Sequence, residues 1–394
     1  MHIAFTEEQD DLRKELRSYF ADLMTPDVQE AMASGDGEYG GGELYKRLVR
    51  QMGEDGWLGI GWPTEYGGQN RSMIDQLIFM DEASLVGAPV PFLTINTVGP
   101  TLMQYGTDEQ RNEFLPKILK GQMHFSIGYS EPGAGTDLAS LTTRAVRDGD
   151  EYVINGQKMW TSLIQYADYV WLAARTDPEA KKHKGLSMFL VSTDSPGFSW
   201  VPVNTVTGTN TSATFYEDVR VPAANLVGGE NDGWKLITNQ LNHERVALCS
   251  AAPVQNMLAE VRRWSHENRL PDGRRVIDQE WVQLHLARVH AKVEFLKLIN
   301  WKIAWGVRNG VGPQDASATK VFGTEFAIEA CRLLMEVLGP EAMVTRGSPG
   351  SVLRSRLERM YRSSLILTFG GGTNEVQRDI IAMVGLGMPR APRF

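Results

Sequence analysis

The spacing of hydrophobic positions changes period twice along the chain. Near the N-terminus Leu12, Leu16, Tyr19, Phe20 and Leu23 recur every three or four residues, which lays one apolar stripe along a helix. Thr6 followed by Gln9 supplies a capping box for its start. Leu44, Leu48 and Met52 predict a second helix, interrupted by GWLGIGWPTEYGG, and MIDQLIFMDEASLVG predicts a third. YGTDEQRNEFLPKILKG reads as a fourth, with an aspartate at its N-cap. The stretch SGDGEYGGG reads as a flexible loop.

Around His124 the period shortens. HFSIGYS, TTRAV, EYVI, QKMWTS, YVWLAAR, LSMFLVS and FSWVPV are short runs rich in β-branched and aromatic residues. DGDE, NG and SPG separate them as turn signals, and Asn155-Gly156 predicts a hairpin turn. The pattern predicts an insert of short antiparallel strands ending near Val227-Gly228. From Gly233 the helical period returns and stays. WKLITNQLNHERVALCSAAPVQNMLAEVRRW, IDQEWVQLHLARVHAKVEFLKLINWKIAWG, SATKVFGTEFAIEACRLLMEVLG and the segment after Gly370-Gly371-Gly372 predict a helical bundle.

Composition narrows the partners. With 394 residues, 42% hydrophobic and 22% charged, the chain can bury cores for two or three domains. A net charge of −8 argues against a nucleic-acid backbone as main partner. Arg354, Arg356, Arg359 and Arg362 alternate with Glu358 and read as a solvated helix face. Cys249 and Cys331 sit inside apolar helical patterns and are expected to be buried thiols in a reducing compartment. No signal-peptide pattern and no membrane-length apolar run occur, so a cytoplasmic location is expected.

Single motifs decide little. The histidines lack metal-ligand spacing, and His285 and His290 read as helix surface and packing. Neither a nucleophile elbow nor a Walker loop occurs. SEPGAGTD, Ser130 to Asp137, lies between strand-like runs, which excludes a strand-to-helix dinucleotide fingerprint. Its glycines fit a simple turn or a bare loop that a flat ligand can approach, and spacing alone leaves both open.

The order of segments is more specific than any one of them. YSEPGAGTD, then GDEYVINGQKMWTS, then a Gly-Thr leading into a helix with Gln-Arg, resembles the acyl-CoA dehydrogenase family over essentially the whole chain. The likeness is greatest to actinobacterial chains that oxidise CoA-activated steroid side chains, some of them heteromeric. It implies an α+β fold: an N-terminal helical domain over 1–122, a middle antiparallel β-barrel domain over 123–228 and a C-terminal four-helix bundle over 229–394. It also implies FAD as cofactor, an acyl-CoA substrate and electron-transfer flavoprotein as acceptor. Tyr129, Ser130, Gly135 and Thr136 would line the flavin loop, and Trp160 and Ser162 would stand beside the isoalloxazine ring.

Many family members carry the catalytic glutamate where this chain has Gly371. A minority carry it on the first bundle helix, as Glu followed by Arg, and Glu244-Arg245 stands at that place. The resemblance thus implies Glu244 as base, desolvated beside an apolar acyl chain. It implies a backbone N–H at Gly371 that holds the thioester oxygen, with Thr373 as the following N-cap. Two departures fall on contacts that a subunit gives its neighbour's flavin. The family's Arg-x-x-Phe is Arg269-Leu270-Pro271-Asp272 here, and its glutamine and Gly-Gly are Glu336, Gly339 and Pro340. Both are expected in a chain paired with a paralogous acyl-CoA dehydrogenase chain, in the manner of an α2β2 heteromer. The competing readings are a non-catalytic subunit that completes a partner's flavin site, and a flavin oxidase or monooxygenase on the same fold.

Overall fold

The computed structural model describes residues 3–34, 42–206, 210–247, 249–306 and 312–390, and only the backbone of 33–34, 210 and 241–247. SGDGEYGGG lies almost wholly outside the described residues.

The first third is helical: α1 (Glu7–Leu23), α2 (Pro26–Ser34), α3 (Gly42–Glu54), α4 (Met73–Val86), α5 (Gly99–Tyr105) and α6 (Asp108–Leu119). Thr6 caps α1 reciprocally with Gln9, and Leu12, Leu16 and Phe20 form its buried stripe. The cap of α6 is Thr107, not the aspartate behind it. Its hydroxyl accepts from Gln110 N, and the Gln110 side chain answers at Thr107 N. A hydroxyl one residue earlier closes the box that Asp108 would have to leave open.

Eight strands follow: β1 (Phe125–Gly128), β2 (Arg144–Asp148), β3 (Glu151–Met159), β4 (Tyr169–Arg175), β5 (Leu186–Ser192), β6 (Phe198–Asn204), β7 (Asn210–Pro222) and β8 (Leu226–Val227). They form one sheet in the order β6-β7-β3-β2-β4-β5-β8. The pairings of β2 with β3, β3 with β7, β4 with β5, β5 with β8 and β6 with β7 are antiparallel, as the pattern predicts. β1 and the start of β2 lie parallel to β4, because the β2–β3 hairpin intervenes before the chain returns beside β1.

The hairpin turn of β2–β3 is Gly149-Asp150, with Gly149 at φ 66°. Asn155-Gly156 is a bulge inside β3 instead. The Asn155 side chain reaches across to Asp218, accepting from its N–H at 3.0 Å and donating to its carboxylate at 2.9 Å. A Cβ on Gly156 would lie 2.5 Å from Thr143 Oγ1, so glycine is required by close approach here.

The chain ends in α7 (Gly233–Ala247), α8 (Ala252–Glu267), α9 (Glu280–Gly306), α10 (Pro313–Leu338), α11 (Arg356–Ser364) and the seven-residue α12 (Asn374–Ile380). The predicted first long helix is thus two. Pro253 starts α8, and Ser250 Oγ accepts from Ala252 N at 3.1 Å. The break is fixed from outside: Asn300 Nδ2 donates to Cys249 O at 2.9 Å, and Ser250 Oγ donates to Asp81 on α4 at 2.7 Å. The early part of α7, at Leu236 and Ile237, joins the core of the N-terminal helices and sheet. From Cys249 onward α8, α9 and α10 build a second core of their own. No helix among the described residues is long and apolar enough to cross a membrane.

Candidate active site

Tyr129 to Asp137 leaves β1 as a loop whose charge is carried by Glu131. Its carboxylate accepts from Thr142 N at 2.7 Å, Thr142 Oγ1 at 2.8 Å and Thr143 N at 2.8 Å, and it pairs with Lys158 Nζ at 2.9 Å. Lys158 is wholly buried and also donates to Tyr129 O at 3.0 Å. Such a buried pair offsets its desolvation through these additional hydrogen bonds. Burial raises the Glu131 pKa, and the Lys158 ammonium with the threonine donors outweighs this, bringing it down to about 2.

With its root fixed this way, the loop's tip is bare. Gly135 and Thr136 are exposed, and a Cβ added at Gly133 or Gly135 would meet nothing within 4 Å. Neither glycine has positive φ. Nothing among the described residues demands glycine there, and the bare loop leaves room for an approach from outside.

Ser130 O accepts from Met159 N at 2.8 Å, which joins this loop to the end of β3. There Trp160 adopts φ 66° and Leu163 φ 63°, left-handed conformations that cost a bulky residue strain. Between them Thr161 N donates to Ser212 O at 2.9 Å, and Ser162 O accepts from Ser126 Oγ at 2.8 Å. The Trp160 indole is therefore turned out of the sheet and is 55% exposed. It is not a core aromatic. A strained, exposed tryptophan at the end of the strand bonded to this loop has the flat apolar surface that a planar ligand could stack on.

The glycine loop near the C-terminus is held from below. Gly371 and Gly372 have φ 68° and 95°. The fully buried Lys320 of α10 donates to Gly372 O and Asn374 Oδ1, while Ser317 Oγ donates to Gln377 Oε1 at 2.8 Å. Thr373 Oγ1 accepts from Val376 N at 3.3 Å as the N-cap of α12. The carbonyl side of the loop is thereby occupied, and the Gly371 N–H donates to none of the described residues. One turn beyond Lys320, a Cβ on Gly323 would lie 2.9 Å from Cys249 Cβ, so α10 also carries the α7–α8 break.

Glu244 and Arg245 lie near the end of α7, and their side chains are outside the described residues. The preceding turn is described. Gln240 is fully buried, and its Oε1 accepts from Tyr129 Oη, which in turn accepts from Trp171 Nε1 at 3.1 Å.

Comparison with known proteins decides the kinship. The acyl-CoA dehydrogenase N-terminal, middle and C-terminal domain models match residues 6–122, 126–219 and 231–386. The chain belongs to the acyl-CoA dehydrogenase family. It is similar to acyl-CoA dehydrogenase FadE26 of Mycobacterium tuberculosis, 66% identical with 100% of both chains covered. Among solved structures it is similar to a chain of the ChsE4-ChsE5 complex from Mycobacterium tuberculosis, with TM-score 0.93, 65% identity, and 99% and 100% of the two chains covered. It is also similar to a chain of the Tcur3481-Tcur3483 steroid ACAD, with TM-score 0.92, 50% identity, and 99% and 100% covered.

As an acyl-CoA dehydrogenase the chain is an FAD-dependent oxidoreductase. Its residues fit that cofactor: the open glycine cradle at 133–135 and the outward indole of Trp160 are what a planar ring system needs. The departing motifs have partners of their own. Arg269 Nη1 donates to Gly273 O at 2.7 Å within a short hairpin that Arg275 closes. Glu336 accepts from or pairs with His285 Nε2 at 2.7 Å, so His285 is packed under Glu336 and against Trp281.

Sequence reasoning missed Glu131, Lys158, Gln240 and Lys320. Lys158 could have been found as a lysine at an inward position of an alternating strand, and Lys320 as one inside a helical stripe of Ala316, Gly323 and Phe326. Gln240 gives no such signal.

Proposed function

We propose that this chain is the base-carrying member of an α2β2 heteromer with a paralogous acyl-CoA dehydrogenase chain, acting on the CoA thioester of a steroid side chain. Electron-transfer flavoprotein takes the electrons, and the work is done in the cytoplasm. The observation that carries the reading is the anchorage of α7. Its Gln240 is bonded to Tyr129 at the root of the glycine loop, and Glu244 follows one turn later on the same helix.

In this reading Glu244 takes the α-proton of the thioester, a step that suits a carboxylate kept from water. The Gly371 N–H receives the thioester oxygen as charge builds there, a contribution of about 3 kcal/mol by analogy with other oxyanion donors. Glycine at 371 keeps that donor and leaves room for a bulky acyl group. Bound FAD would supply the acceptor for the β-hydrogen and its electron pair as the double bond forms between the two carbons. Tyr129, Ser130, Gly135, Thr136, Trp160 and Ser162 hold and wall the ring, and Arg245 flanks the base.

A paralogous partner is supported by α9, which is apolar on two sides. Val282, Leu286, Val289, Val293 and Leu296 face its own core, while Trp281, Leu284, Phe295, Leu298 and Trp305 are exposed. A lone globular chain leaves few such stripes uncovered. The heteromeric makeup named for the ChsE4-ChsE5 and Tcur3481-Tcur3483 structures supports the same reading.

The test is Glu244→Gln in the complex co-purified with its paralogous partner, assayed for dehydrogenation of cholan-24-oyl-CoA. Loss of turnover with FAD content retained is expected. Unchanged turnover would mean that this chain is the non-catalytic member, which the missing carboxylate at Gly371 would then explain.

A further inference from the structure

The geometry points to Gln240 as a positioning residue that sets α7, and with it Glu244, against the loop that begins at Tyr129. This inference rests on the reading of Glu244 as the base.

Tyr129 is fixed at both ends of its residue. Its carbonyl is held by Lys158 on β3, and its hydroxyl accepts from Trp171 on β4. The hydroxyl proton is then directed to Gln240 Oε1 on α7. Tyr129 is 7% exposed and Gln240, Lys158 and Trp171 are fully buried, so water does not compete for these bonds. The chain of bonds runs from two strands of the sheet, through one tyrosine, to one helix.

Residues 240 and 244 are neighbours on one helix face. A bond that fixes the first fixes both the rotation of the helix and its position along the axis at the second. The contact is the more informative because packing alone does not call for it. Gln240 Nε2 is buried and donates to no described residue. Burial of an unpaired amide N–H lowers stability, and a leucine of similar volume would avoid that loss. Among the described residues, the bond to Tyr129 is the one that the Gln240 amide makes.

The experiment uses the co-purified complex with FAD bound and no electron acceptor, in D2O. Deuterium entry at the α-carbon of cholan-24-oyl-CoA, read by mass spectrometry, reports the base without reference to turnover. Gln240→Leu and Tyr129→Phe are each expected to slow exchange about ten- to a hundredfold, as small misplacements do. FAD content and KM are expected to stay near wild type in Gln240→Leu, which alters no residue assigned to the flavin. The double variant is expected to be no slower than Tyr129→Phe alone, which breaks the shared bond and also the one from Trp171 Nε1. Should Gln240→Leu fail to assemble, Tyr129→Phe, which removes a single oxygen, carries the test.

Wild-type exchange in both variants, alongside its loss in Glu244→Gln, would overturn the positioning role and leave the base in place. Losses in the double variant that multiply beyond Tyr129→Phe, or loss of FAD in Gln240→Leu, would overturn it too. Full exchange in Glu244→Gln would remove the base reading itself, and the inference with it.

Discussion

Lys320 donates to the carbonyl oxygen of Gly372 at 2.7 Å, so a wholly buried ammonium on α10 holds the glycine loop from beneath. The same ammonium reaches Asn374 Oδ1 at 2.9 Å. Two backbone segments with positive φ and no side chains would otherwise have little to keep them in one shape.

Lys320→Met removes that donor and leaves Gly372 O and the buried Asn374 Oδ1 only the longer contacts from Gln377 Nε2 and Thr324 Oγ1, both at 3.4 Å. The expected loss is about 3 kcal/mol, at the usual cost of unsatisfied groups, read as a lower urea midpoint with unchanged slope. Turnover should fall further than stability predicts, because the loop carries the Gly371 N–H. An unaltered midpoint would show that Gln377 and Ser317 suffice.

Acid should attack the root of the flavin loop. The Glu131 carboxyl is held at about 2, below its ordinary 4.5, so the unfolded chain binds more protons in that interval. The stabilisation is complete above pH 4.5 and is lost as pH falls through the folded value, on the order of 3 kcal/mol in all. Urea midpoints measured across this window should decline in wild type and stay flatter in Glu131→Gln. At pH 7 that variant should itself be about 3–5 kcal/mol less stable, having stranded the Lys158 charge. Adding Lys158→Met should recover part of the loss.

Gly135→Leu separates folding from cofactor binding. The backbone angle is ordinary and the space above it open, so the FAD-stripped protein should keep its stability within about 0.5 kcal/mol. Bound flavin per protein, measured by absorbance, should drop. A variant that retains full flavin would remove Gly135 from the cofactor's surroundings.

The outward stripe of α9 should decide assembly. Phe295→Glu with Leu298→Glu places charge on an exposed apolar face, at the cost of the edge contact that Phe295 makes to Phe322. The helical circular dichroism should be unchanged while the complex separates on a sizing column. Co-elution with the partner as before would direct the search for the interface elsewhere.

Much of the fold was legible because period and punctuation agree. The stripes of α1, α3 and α4 and the runs that became β4 and β5 are read without tertiary knowledge, and Thr6 announces its own helix. Where the reading slipped, a distant contact had overridden a local signal. Asn155-Gly156 has the turn composition, yet Asp218 and Thr143 hold it inside β3 as a bulge. The unbroken helical pattern from Trp234 to Trp264 hides a break that Asp81 and Asn300 impose from other elements. The site divides in the same way. Bare glycines and an aromatic are visible as letters, whereas Lys158, Lys320 and Gln240 work through partners that only folding brings near.

The sheet is entered and left at neighbouring strands. β1 runs beside β4 and β8 beside β5, while Gln110 of α6 donates to Ala224 O at 2.7 Å and Leu226 O at 2.9 Å, stapling the way in to the way out. The sheet is thus a detour that returns the chain to its point of departure. The two Gln110 bonds thereby hold the helices on either side of the detour in mutual register.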